Sequence, residues 1–122
     1  MSFLNDEVHD QGLDYADTNG TRIDICSTEP TTYTEATSTY TEGNKTGLNT
    51  GTAEDGTPDG RRVIVPTFSD GSVTGTDTVT HWALTDGSSI LVAVGALSSS
   101  QGVTSGNTFS LDAISITSRD PA

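Results

Sequence analysis

Apolar positions along this chain recur at two different spacings. Near the start, Leu4 and Val8, followed by Leu13 or Tyr15, form a rough stripe at helical spacing that is interrupted at Gly12. Ser2 is a suitable N-cap. Asn5, Asp6 and Glu7 stand where the positive end of a helix dipole favours carboxylates. The pattern predicts a short N-terminal helix ending between Gly12 and Asp17. After the turn signal Asn19-Gly20, residues Thr21 to Ser27 alternate, with Ile23 and Ile25 on one face and Arg22, Asp24 and Cys26 on the other. That is the period of a strand.

Residues 28–58 lose this rhythm. They are rich in Thr, Glu and Gly, with Tyr33, Tyr40 and Leu48 as isolated anchors, and read as a long polar loop or arm with at most short strands. Alternation resumes at Arg61 to Phe68, where Val63 and Val65 oppose Arg62 and Ile64, and Pro66 suggests a sheet edge. Val79 to Leu84, a turn at Asp86-Gly87, and Ile90 to Leu97 read as a hairpin. Phe109 to Thr117 follows as a further strand. Phe109 and Leu111 differ in parity from Ile114 and Ile116, so a bulge near Asp112-Ala113 is expected to restore one buried face.

These elements predict one mainly β domain over 1–122, an antiparallel β-sandwich or barrel-like fold. Its parts are a helix or arm at 1–17, a long arm at 28–58 and a main β region at 61–117. The expected core contains Ile23, Ile25, Val63, Val65, Trp82, Leu84, Val92, Val94, Phe109 and Leu111.

Composition makes that core a small one. Of 122 residues, 31% are hydrophobic and 6% aromatic, yet charged residues are only 18%, too few for a disordered, charge-rich chain. A lean core gains from burial against a partner. The net charge is −12, and Arg22, Lys45, Arg61, Arg62 and Arg119 are the whole Lys and Arg supply. Nucleic acid and anionic membrane are therefore disfavoured as partners, since both are bound through clustered cations.

Cys26 is the single cysteine, which rules out a disulfide within the chain. The first residues lack a positive segment followed by an apolar stretch, and the longest apolar run is Ile90 to Leu97. The expectation is a protein made in a reducing cytoplasm, without a membrane span.

Candidate chemistry is sparse. Asp55-Gly56, Asp59-Gly60, Asp70-Gly71 and Asp86-Gly87 place oxygen ligands beside tight turns, but their spacing is not that of an EF-hand, and ordinary turns account for them. His9, His81 and Cys26 have no zinc-site spacing, so no metal or other cofactor is expected. No nucleophile elbow, P-loop or dinucleotide fingerprint is present, and the scattered carboxylates read as solvated surface; the chain is expected not to be an enzyme. Trp82, beside His81, has the chemistry to stack on a sugar ring, but it shares parity with Leu84 and fits a core better. Arg61-Arg62 is the one adjacent basic pair and suits an acidic partner surface.

Two stretches carry a resemblance. RIDICSTEPTTYTEATSTYTEGNKTG (Arg22 to Gly47) and HWALTDGSSILVAVGALSSSQGVTSGNTFSL (His81 to Leu111), together with Phe3-Leu4-Asn5-Asp6, resemble small virion structural proteins of tailed bacteriophages, of the capsid decoration or cement type. The likeness covers most of the chain and includes no signature motif, so it transfers no site residues. It implies a place in the virion on the outer head surface, contact with the major capsid protein or another virion protein, and a homo-oligomer in the particle. The charge agrees with an external position, because packaged DNA would repel so acidic a chain. Partner contacts are expected from Phe3, Leu4, Tyr33, Tyr40, Arg61 and Arg62. Two other readings remain: a tail, neck or host-recognition component, and a carbohydrate-binding β-sandwich module.

Overall fold

The computed structural model describes residues 4–57 and 59–120. Helix α1 (Asp6–Asn19) is capped by Asn5, whose side chain accepts from the Glu7 N–H at 2.8 Å, and it closes with the Gly20 N–H on the Ala16 carbonyl at 2.7 Å. It therefore starts later than a Ser2 cap would place it and ends two residues beyond Asp17. Its buried residues are His9, Leu13 and Ala16. Leu4, Val8 and Tyr15 are exposed, so of the expected stripe only Leu13 points inward.

Among the described residues nine strands follow: β1 (Arg22–Cys26), β2 (Thr41–Lys45), β3 (Glu54–Asp55), β4 (Arg61–Val65), β5 (Phe68–Val73), β6 (Asp77–Thr85), β7 (Leu91–Val103), β8 (Thr108–Leu111) and β9 (Ile114–Ser118). They form a six-stranded sheet in the order β7-β6-β1-β2-β5-β8 and a three-stranded sheet in the order β3-β4-β9, with every pairing antiparallel. The fold is mainly β with a short N-terminal helix, as the alternation predicts. Ile23, Ile25, Val65, Val73, Leu84 and Phe109 lie in the principal core cluster, and Leu13 and Ala16 of α1 cover Val63 of the smaller sheet. Trp82, Val92, Val94 and Leu111, expected inside, are only half-buried.

Residues 28–57 carry only the short strands β2 and β3, as expected of a loop, but they pack into the body rather than standing free as an arm. A π-helical turn at Glu35–Thr39 packs against β1 and β2, and β2 is an interior strand between β1 and β5. Thr41-Glu42-Gly43-Asn44-Lys45 has no apolar residue, so its place in the sheet comes from backbone pairing. A Cβ on Gly43 would lie 3.2 Å from Cε1 of Phe109, and one on Gly71 of β5 would collide with the same ring. Phe109, reaching from β8, thus fills the side-chain space of two neighbouring strands, an arrangement in which an aromatic ring covers glycines in a sheet.

Other boundaries also differ from the alternation. The strand expected from Arg61 to Phe68 is divided: β4 ends at Val65, and Phe68 begins β5 in the other sheet. β4 is the central strand of its sheet, but β3 pairs only with Arg61 and Arg62, so Val63–Val65 has a ladder on one side alone and Pro66 disturbs nothing. Asp70-Gly71 is not a turn but lies within β5, at a register shift between Phe68 and Gly71. At Asp112-Ala113 the chain leaves β8 for β9, changing sheets where the parity predicts a bulge.

Both faces of β1 are covered. Ile23 and Ile25 face the principal core, while Cys26 packs with Ala36 and Ala83 beneath the π-helical turn, and Asp24 is equally enclosed. Burial, reinforced by the nearby Asp24 and Glu42 carboxylates, pushes the Cys26 thiol up to about 12. Its unfolded value is about 8.5. The folded value is the higher one, so this contribution to stability is complete below the unfolded value and is lost as pH rises towards 12. At pH 8 a thiol-specific chromogenic reagent is expected to label the native protein at least about a thousand-fold more slowly than the unfolded chain, with labelling appearing along the urea transition. Rapid labelling without denaturant would contradict this burial.

Candidate functional site

The outer face of α1 combines apolar exposure with firm attachment. Val8 and Tyr15, two helical turns apart, are 55% and 45% exposed, and Leu4 before the cap is 37% exposed. Around them a Cβ on Gly12 would meet nothing within 4 Å. From beneath, the helix is pinned. His9 is fully buried, with Nδ1 2.6 Å from the Ser118 hydroxyl and Nε2 3.0 Å from the Asp120 carboxylate. The Leu4 N–H also donates to Asp120, and Arg61 Nε donates to Asp10 at 2.9 Å. At helical spacing Glu7 and Asp14 flank one side of this face as an acidic border. The result is a rigid platform with an apolar, acid-edged outer surface.

Ser118, His9 and Asp120 are the three residue types of a hydrolytic triad. In this fold the trio joins the start of the chain to its end: Asp120 Oδ1 is shared between His9 and the Leu4 N–H, and the Asp120 N–H donates to Asp59. Arg119 donates to Asp59 as well, and this hydrogen bond, with that from Asp120, holds the Asp59 carboxyl below its ordinary range. The two clefts of the larger sheet do not touch the trio. Its geometry serves as a clasp between α1 and β9. Sequence spacing gave no sign of it, since the His9 contacts span 109 and 111 residues.

A cleft of about 440 Å³ opens where the two ends of the larger sheet approach each other, between Leu97 and Gln101 of β7 and Ser110 and Leu111 of β8. Trp82 lines it. Trp82 is paired with Gly95, and a Cβ on Gly95 would meet the indole at 2.6 Å, so the ring packs directly against that glycine. A second cleft of about 240 Å³ continues along the seam between Val103 and Phe109.

The other expected contact residues are dispersed. Phe3 lies outside the described residues. Tyr40 is half-buried against the Cys26–Ala36–Ala83 cluster, and Tyr33 is half-buried in the segment leading into the π-helical turn. Arg61 is occupied by Asp10, Asp55 and the Ala53 carbonyl, with the carboxylates raising its pKa. Arg62 is held more loosely: it stands 3.8 Å from Glu54, and its buried Nε has no hydrogen-bond partner. The Asp-Gly carboxylates serve the chain itself, Asp55 and Asp59 through arginines, Asp70 through Lys45, and Asp86 by accepting from the N–H groups of Ser88, Ser89 and Ile90.

Among the described residues there is no group of three or more His, Cys, Asp or Glu side chains placed to hold a metal ion, and no helix long and apolar enough to cross a membrane. Comparison with protein-family models, with curated proteins and with solved structures finds no match to this chain.

Proposed function

We propose that the protein is a non-catalytic structural component of a tailed-phage particle, a capsid decoration or cement protein that docks on the outer head surface through the exposed face of α1. The observation that carries this reading is the pinned helix: Val8 and Tyr15 are displayed on an element fixed to the body by His9, Asp10, Leu13 and Ala16. An apolar face held in place needs no ordering on binding, which lowers the cost of association. The acidic border suits a shell surface carrying Lys or Arg and disfavours approach to packaged DNA. The partner is the major capsid protein or another virion protein, met in many symmetric copies, so that modest single contacts sum to firm retention. Such a protein acts by bridging shell subunits and resisting their separation.

The test uses purified heads, with and without this protein, from the phage that encodes it. The double variant Val8→Asp/Tyr15→Asp alters only exposed positions and is expected to stay folded but bind heads at least about tenfold more weakly. Heads without the protein should rupture at lower temperature or milder osmotic shock. Unaltered binding by the double variant, or equal rupture with and without the protein, overturns the proposal. Exclusive binding to isolated tails would move the protein to the tail or neck.

A further inference from the structure

Each terminal strand of the six-stranded sheet has one ladder partner, β6 for β7 and β5 for β8, so both present an outward row of backbone N–H and C=O groups. The sheet curls until these two edges face one another across a trough. Its two clefts, about 440 and 240 Å³, are both lined by Gln101 of β7 and Ser110 of β8, which makes them successive parts of one seam. No strand pairing closes it among the described residues.

The composition of the edges is unusual for this chain. Exposed edges are ordinarily guarded by charges or proline. Leu91–Val103 and Thr108–Leu111 contain neither, although the protein has 17 acidic and 5 basic residues. Leu97, Val103 and Leu111 line the trough as half-buried apolar positions, with polar Ser and Gln side chains between them. Apolar positions beside unpaired backbone groups are what an added strand reads: main-chain hydrogen bonds supply affinity and alternate side chains make the apolar contacts.

We infer that the β7–β8 seam receives an extended segment of a different polypeptide, which inserts as a strand and closes the curled sheet. The occupant is uncharged or basic, with apolar residues at every second position. Asp112 lines the larger cleft, and the net charge of −12 disfavours an acidic segment or a second copy of this chain. A strand is favoured over a sugar because it satisfies both facing edges, whereas a sugar stacked on Trp82 would leave most of the seam open. This inference is independent of the proposed docking through α1.

The probe is a synthetic peptide, Lys-(Thr-Val)4-Lys, compared with a form carrying proline at its two central valines and with a panel of soluble neutral oligosaccharides. Main-chain pairing tolerates sequence, so a generic alternating peptide suffices. The alternating peptide is expected to slow amide hydrogen exchange at least about tenfold within 96–103 and 108–111 and to change Trp82 fluorescence, while the proline form does neither. Ala96→Trp, at an exposed position lining the larger cleft, should abolish the effect without lowering the melting temperature. Absence of protection with the alternating peptide, equal protection with the proline form, or a Trp82 response to the oligosaccharides alone would overturn the inference. So would protection arising from self-association of the chain.

Discussion

Replacing Arg22 by alanine is expected to destabilise the protein by about 3–5 kcal/mol. The Asp24 side chain is wholly enclosed, and Arg22 grips it through both carboxylate oxygens, Nε to Oδ1 at 2.8 Å and Nη2 to Oδ2 at 3.0 Å. The Thr41 hydroxyl adds a donor to Oδ2 at 2.7 Å. In return, hydrogen bonding to Asp24 raises the Arg22 pKa despite partial burial. The guanidinium head keeps some access to water, its side chain being 23% exposed, whereas the carboxylate has none. Removing the arginine therefore strands a buried charge with one neutral donor, the costly half of breaking such a pair. Domains of this size are commonly stable by about 5–15 kcal/mol, so a large share of the total is lost. The melting temperature should fall by roughly 10–20 °C. Arg22→Lys is expected to recover only part, because an ammonium cannot reproduce the two-pronged contact. Thermal and urea unfolding of the two variants measure this directly. A loss below about 1 kcal/mol for the alanine variant would mean that water reaches Asp24 in solution.

The same residues show why the sequence disclosed some elements and concealed others. The strand around Ile23 and Ile25 and the β6–β7 hairpin were legible because their inward positions carry large apolar side chains and Asp86-Gly87 closes the turn with Gly87 at positive φ. Asp24 is enclosed rather than exterior for a physical reason: alternation identifies two faces, but not that a later segment will cover the second. β2 and β5 were hidden because glycines stand where hydrophobic residues would mark an inner face. Helix α1 was signalled by an apolar stripe that is mostly its outer face, with Leu4, Val8 and Tyr15 exposed, whereas its inner face is anchored by His9, whose partners Ser118 and Asp120 lie more than a hundred residues away along the chain. Arg61 and Arg62 look alike in sequence and part company in the fold, because Asp10 and Asp55 converge on the first alone. The seam between β7 and β8 depends on curvature, which no local pattern encodes.

Gly71→Ala and Phe109→Ala should each destabilise the protein alone and partly compensate each other when combined. Phe109 packs edge-on against Phe68, with ring centroids 5.5 Å apart and planes at 77°, and its ring fills the space over Gly43 and Gly71. Truncating it removes this aromatic contact and leaves a void, a loss of about 3–5 kcal/mol. A methyl group on Gly71 instead collides with the ring, which must leave its position at a cost of about 1–3 kcal/mol. With the ring gone, the same methyl group enters vacant space and recovers apolar contact. The strand also gains, since glycine within an element is destabilising by roughly 0.5–1 kcal/mol relative to alanine. The double variant is therefore expected to be more stable than the sum of the single losses implies, by about 1–3 kcal/mol. Urea unfolding of the four proteins forms the cycle. Simple additivity would show that the ring does not rest over Gly71, and would leave the unpatterned sequence of β5 without a physical cause.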